Sequence, residues 1–170
     1  EIVFERGYGW RDQERTTPLP PDALLRLASV VKPITLAAIR QLIAAGDLAA
    51  NDRVFCLTGS PSNCILNITP AGTVDPRVLN VTIQHLMDHQ GGWDRDASYD
   101  PMFEMFKIAD GLGIASPPTK EQIVQYMLDQ DLDFTPGTKE AYSNYGYLLL
   151  GLVIEEITGQ SYLDYIQDNI

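Results

Sequence analysis

The stretch "PGTKEAYSNYGYLLLGLVIEEITGQSY", Pro136 to Tyr162, passes from a Pro-Gly turn through a Tyr-x-Asn triplet into a long apolar segment. Pro-Gly punctuates whatever precedes it, and the apolar residues from Tyr145 onward recur at helical spacing until Gly159 supplies a stop. The spacing predicts a helix over "YGYLLLGLVIEEIT", with Tyr145, Tyr147 and the following leucines in the core. Ser161 with Asp164 then begins another helix that is still running at Ile170. Tyr142 and Asn144 stand at the mouth of the first of these helices. A tyrosine hydroxyl relays protons when nearby cations favour its phenolate, and an asparagine two residues on can orient a substrate amide. The plainer reading makes Tyr142 a partly buried aromatic and Asn144 the N-cap of the helix.

Far upstream, "LASVVKPIT", Leu27 to Thr35, places Ser29 and Lys32 three residues apart, where a polar turn gives way to a helix expected over 29–45. If Ser29 opens that helix, its hydroxyl and the lysine amine lie on one face. Pro33 fits inside the first turn, where its missing N–H had no helical partner. Serine becomes a nucleophile when a base takes its proton, and a lysine one turn on serves if burial or a second cation lowers its pKa. The N–H groups of the helix start favour the oxyanion formed on attack at a carbonyl. Taken alone, the pair reads as an N-cap serine and a solvated lysine.

Together, "LASVVKPIT", "HLMDHQGG" and the opening stretch, in this order, resemble segments of the class C β-lactamase and penicillin-binding-protein-like serine hydrolases, a group that includes esterases and D-aminopeptidases. With "ERGYGW" as a lead-in strand, the resemblance covers most of the chain. It implies an α/β (α+β) fold of β-lactamase/transpeptidase type in a single domain, 1–170, truncated at its C-terminus. Residues 1–20 would be a strand and connector of the central antiparallel sheet, and 21–170 a mainly helical region. Position by position, the resemblance makes Ser29 the acylated nucleophile and Lys32 its hydrogen-bonded base partner. Tyr142 becomes the second proton-transfer group, and Asn144 a contact to the substrate amide or to Lys32. Which of Lys32 and Tyr142 takes the first proton stays open. No metal or organic cofactor is implied, and the expected substrates are β-lactams, peptidoglycan-like D-alanyl peptides or small esters.

The family completes its site with Lys-Thr-Gly or His-x-Gly on a later strand, and nothing after Asn144 matches that motif. The expectation is therefore an N-terminal portion whose missing C-terminal half, in the same protein, supplies the strand. A second polypeptide and an inactive remnant are the alternatives. The rival class is a non-catalytic binding or regulatory module of the same fold.

The pair His85 and His89 in "HLMDH" is expected on one face of a short helix capped by Thr82 and stopped by Gly91 and Gly92. With Asp88 beside them it approaches the metal-binding His-x-x-Glu-His arrangement, but no third ligand suggests itself and both imidazoles are expected to be structural. Thr119 with Gln122 marks a capping box for a helix to about Gln130. "EIVFERGYGW" alternates as a strand, and Asn51 to Asn80 reads as an extended loop or small hairpin. Trp93 reads as a cleft-lining or surface residue, and Glu155/Glu156 and Asp94/Asp96 as solvated faces or turn residues.

A length of 170 residues with 45% hydrophobic and 21% charged residues suits one globular domain. The net charge of −11 argues against nucleic acid and anionic membranes as partners, because neutralising phosphates needs a basic patch. No apolar run is expected to reach the ~18 to 20 residues of a membrane span. The N-terminal stretch lacks the basic start and apolar core of a signal peptide. Cys56 and Cys64 bracket a short loop, either disulfide-closed in an exported protein or two reduced thiols. A periplasmic or secreted location is the expectation, and a cytoplasmic one the alternative.

Overall fold

The computed structural model describes residues 2–170 and, among these, has α1 (Val31–Ala45), β1 (Arg53–Phe55), β2 (Cys64–Leu66), α2 (Ile83–Met87), α3 (Met105–Leu112), α4 (Lys120–Leu128), α5 (Asn144–Thr158) and α6 (Tyr162–Asn169). Short 3-10 turns lie at Ala28–Val30, Pro76–Asn80 and Pro101–Phe103. By packing, the chain divides into two units, the first ending at Val31 and the second spanning Lys32–Ile170.

Among the described residues of the first unit the expected N-terminal strand does not form. The described residues there pair in an antiparallel bridge between Trp10 and Pro18, flanked by Leu19 N–H to Gly9 O at 3.0 Å and Arg11 N–H to Thr17 O at 2.8 Å. A strand exists only where a neighbour takes its N–H and C=O groups, and residues 2–8 have none in a ladder, so Ile2, Val3 and Phe4 stay exposed. Asp12 fixes the turn by accepting the N–H groups of Thr16 and Thr17, both at 2.7 Å.

The second unit is organised around α5, whose Tyr145, Leu149, Leu150, Val153 and Ile154 are fully buried. Against it pack α2, β2 and α6. Ser143, not Asn144, caps this helix, its Oγ accepting the Gly146 N–H at 3.0 Å, and Gly159 ends it in the left-handed region at φ +67°. Ser161 caps α6 and Thr119 with Gln122 forms the anticipated capping box of α4. Two side-chain links tie these helices together: Thr35 Oγ1 to Tyr162 OH at 2.7 Å, and Lys120 Nζ to Glu155 at 2.6 Å. Glu155 is thus an ion-pair partner, not a member of a solvated face.

Helix α1 starts at Val31, two residues after Ser29, and the 3-10 turn before it puts Ala28 at φ +47°. The helical run Ala28–Ala45, 18 residues of mean hydropathy 1.3, is long and apolar enough to cross a membrane by length and composition, contrary to the sequence expectation. Within the second unit, however, its Ala38, Ile39 and Leu42 belong to the hydrophobic core. Helix α3 was not anticipated. It buries Ile108 and Ala109 and ends at Gly113, φ +65°.

The segment 51–80, expected as an extended loop or small hairpin, holds a parallel pair, Arg53 opposite Cys64 and Phe55 opposite Leu66. Strands of three residues are short enough for a compact loop to bring the chain back to the start of β1, and a Cys56–Cys64 disulfide closes that loop. Further on, buried Asp75 accepts Arg77 Nη2 at 2.6 Å, the Arg77 N–H at 2.9 Å and the Leu132 N–H at 3.1 Å, tying two distant segments together. The Arg77 hydrogen bond, ahead of the backbone donors, holds this carboxyl at about 2 against an ordinary 3.8.

Candidate active site

Helix α2 stops at Met87, and His89 then takes a left-handed backbone conformation at φ +56°. His85 and His89 therefore do not share a helical face, which removes the geometric premise of the metal reading. His85 completes a capping box: Thr82 Oγ1 accepts its N–H at 3.2 Å, and its Nδ1 accepts the Thr82 N–H at 3.4 Å. Its Nε2 faces Gly137, where a Cβ would come within 2.8 Å and where φ is +81°, so the Pro-Gly turn admits only glycine there. His89 Nδ1 accepts the Ser143 N–H at 3.2 Å while its carbonyl accepts the Ala141 N–H at 2.8 Å. It thereby fixes the backbone on both sides of Tyr142.

With Tyr142 so held, its ring lies 4.8 Å from the His89 ring, 4.8 Å from Lys32 Nζ and 4.8 Å from the Arg95 guanidinium, each measured to the ring centre. These contacts are of the cation–π and stacked kinds. Lys32 Nζ donates to Asn144 Oδ1 at 2.6 Å, and Asn144 Nδ2 donates to Asp100 Oδ2 at 2.6 Å. Because Ser143 takes the capping role, the Asn144 side chain is left to reach the lysine. Tyr147, expected in the core, is half-buried and puts its ring 5.0 Å from His89 and 5.5 Å from Lys32 Nζ. Burial, then Asp88, pushes its hydroxyl pKa up. Burial comes first, then Lys32, in pushing the His89 pKa down; burial and then Arg53 do the same to His85.

The second unit thus brings Lys32, Tyr142 and Asn144 together across more than a hundred residues of sequence. Ser29 belongs to the first unit, in the 3-10 turn three residues before Lys32 in the chain and directly after Ala28 with its positive φ. Sequence reasoning missed Arg95, Asp100 and the site role of His89. Asp100 followed by Pro101 did carry a turn-cap signal, and Asp100 Oδ1 does accept the Met102 N–H at 3.0 Å.

Two further expectations are corrected. Trp93 is buried, edge-on to Tyr145 at 4.7 Å and to Phe55 at 6.5 Å, so it neither lines a cleft nor packs on the surface. Asp94 is also buried, paired with Lys139 and donating its N–H to Asp133 Oδ2 at 2.7 Å. An open hollow of about 450 Å³ lies beside the disulfide loop, lined by Leu57, Ile68, Val74 and Leu79 among others, and none of Lys32, Tyr142 and Asn144 borders it.

The joining of these two motif-bearing segments agrees with a β-lactamase-type architecture, and the family model described as Beta-lactamase matches residues 1–170. The chain belongs to that family. It is 32% identical over 167 residues to the probable fimbrial assembly protein FimD, serogroup H1, of Dichelobacter nodosus, covering 98% of this chain and 38% of that protein. With esterase EstB of Burkholderia gladioli it shares 31% identity over 163 residues, 94% of this chain and 39% of the esterase. The structure of the octameric penicillin-binding protein homologue from Pyrococcus abyssi superposes with a TM-score of 0.69 at 27% identity, covering 100% of this chain and 35% of that one. The chain therefore spans less than two fifths of the length of these relatives, and it has their β-lactamase/transpeptidase-like fold in part.

Proposed function

We propose that this chain contributes the nucleophile and proton-transfer residues of a serine hydrolase that works through an acyl-enzyme on an amide, β-lactam or ester carbonyl. The observation that supports it best is the Lys32–Asn144 hydrogen bond at 2.6 Å with the Tyr142 ring 4.8 Å from the same ammonium. In this reading Ser29 Oγ bonds to the carbonyl carbon and its proton passes to the Lys32–Tyr142 unit. The tetrahedral intermediate collapses as the leaving group departs with that proton, and water then splits the Ser29 ester to an acid and free serine. Two cations, Lys32 and Arg95, stand at the Tyr142 ring, each 4.8 Å from its centre. The substrate is a small molecule or a peptidoglycan-like peptide, and the disulfide supports an extracytoplasmic setting.

Incubating the intact protein with a fluorescent penicillin and with a fluorophosphonate, followed by mass analysis, should place the label on Ser29. Lys32→Ala and Tyr142→Phe should each slow acylation by on the order of a hundredfold, as expected of groups that move the proton. Absence of label from a folded intact protein would leave the binding module as the better account. Full acylation rates in both variants would remove their assigned roles.

A further inference from the structure

Asp100 closes the hydrogen-bond chain that begins at Lys32. Its Oδ2 accepts Asn144 Nδ2 at 2.6 Å, while its Oδ1 is held by the Met102 N–H at 3.0 Å at the head of the Pro101–Phe103 turn. Both oxygens are engaged, so the carboxylate cannot turn away from the asparagine. An ionised carboxylate only accepts and an ammonium only donates, whereas an amide has one end of each kind. With Asp100 at one end and Lys32 at the other, the Asn144 amide has a single orientation that satisfies both: NH2 toward Asp100, oxygen toward Lys32.

We propose that Asp100 is a positioning residue for this site. Resting on the hydrolase reading above, its role is to set the Asn144 amide so that the amide oxygen holds the Lys32 amine, the proton-transfer group of that reading, beside Tyr142. Without the acceptor at position 100 only the Lys32 end holds the amide, so the Asn144 side chain loses its second anchor and can shift, taking the lysine with it. Displacing a proton-transfer group by about 1 Å is enough to cost on the order of a hundredfold in rate. The Asn144 amide would then also be free to exchange its protons with solvent.

The capping and positioning roles of Asp100 separate in Asp100→Ser. Serine is a good cap for the Met102 N–H, but its side chain is too short to reach Asn144. In the intact protein, Asp100→Ser should melt within a degree or two of the parent and acylate Ser29 with a fluorophosphonate about tenfold or more slowly, with a displaced pH profile. In an Asn144→Ala background the same substitution should add nothing further. A parental rate for Asp100→Ser, or losses that multiply in the double variant, would overturn the proposal. A readout independent of turnover is the Asn144 side-chain NH2 signal in ¹⁵N-labelled protein, identified by its loss in Asn144→Ala. It should shift and exchange faster in Asp100→Ser, and an unmoved signal overturns the proposal even if the parent never acylates, an outcome that would count against the hydrolase reading alone. Should Asp100→Ser fail to fold, Asp100→Asn keeps the shape but offers one acceptor oxygen to two donors. The same slowing and the same NH2 shift are expected there, and their absence overturns the assignment.

Discussion

The imidazole of His89 shows how one side chain couples the site to the pH of the medium. Neutral, it accepts the Ser143 N–H through Nδ1; protonated, the same nitrogen becomes a donor facing a donor, with Lys32 close by. Burial and then Lys32 depress its pKa below the ordinary 6.5, outweighing the opposing pull of Glu140 and Asp88. As the pH falls through 6.5 the unfolded chain takes up this proton before the folded one does, so stability is lost on the acid side of that value. His85, also depressed, adds in the same direction. The thermal midpoint should therefore fall between pH 7.5 and 5.5. His89→Asn, which keeps an acceptor near the Nδ1 position and tolerates a left-handed backbone, should flatten that fall. A ring signal titrating at or above 6.5, or an unchanged slope in the variant, would contradict the assignment. None of this was legible in "HLMDH", because a histidine at positive φ ends the helix one residue after its cap, and the sequence placed the stop at the glycines.

Helix boundaries were the most legible level, for a physical reason. A cap is a local hydrogen bond between neighbours in sequence, so Thr82, Thr119 and Ser161 announce themselves in the residues that follow. Pairing of strands is not local, and the sequence failed where pairing decides: residues 2–8 alternate like a strand but find no ladder, and β1 with β2 runs parallel where an extended loop or small hairpin was expected. At the head of α5 the local rule was right in kind and off by one residue. Ser143 rather than Asn144 accepts the Gly146 N–H, and that single step frees the asparagine for Lys32. Ser143→Ala should cost about 1 kcal/mol of unfolding free energy in urea titrations, and Ser143→Asp most of an order less. The backbone N–H that binds His89 survives both changes, so the loss reports the cap alone. Equal stability of the alanine and aspartate variants would mean that the cap contributes nothing.

Across the second unit, long-range polar contacts fix which segments meet. The Lys32–Asn144 contact could not be derived from spacing, since no periodic pattern relates positions so far apart; the family resemblance supplied the expectation, and Asp100 lay outside it. Asp75 does comparable work away from the site, joining the Pro76–Asn80 turn to Leu132 through the Leu132 N–H and through Arg77, whose Nη2 also donates to the Leu132 carbonyl at 2.7 Å. Its carboxyl titrates at about 2 when folded against 3.8 otherwise, so the folded state is favoured above 3.8 and loses this advantage as the pH descends through about 2. The contribution is on the order of 2 kcal/mol at neutral pH, reduced by the partial exposure of Arg77. Urea midpoints measured from pH 5 to pH 2 should fall more steeply for the parent than for Asp75→Asn, which starts lower because an NH2 group then meets the Arg77 and Leu132 donors. Because the ordinary carboxylates elsewhere titrate alike in both proteins, the difference between the two curves isolates position 75. Parallel curves would show that this carboxyl does not hold the two segments together, whatever its distance from Arg77.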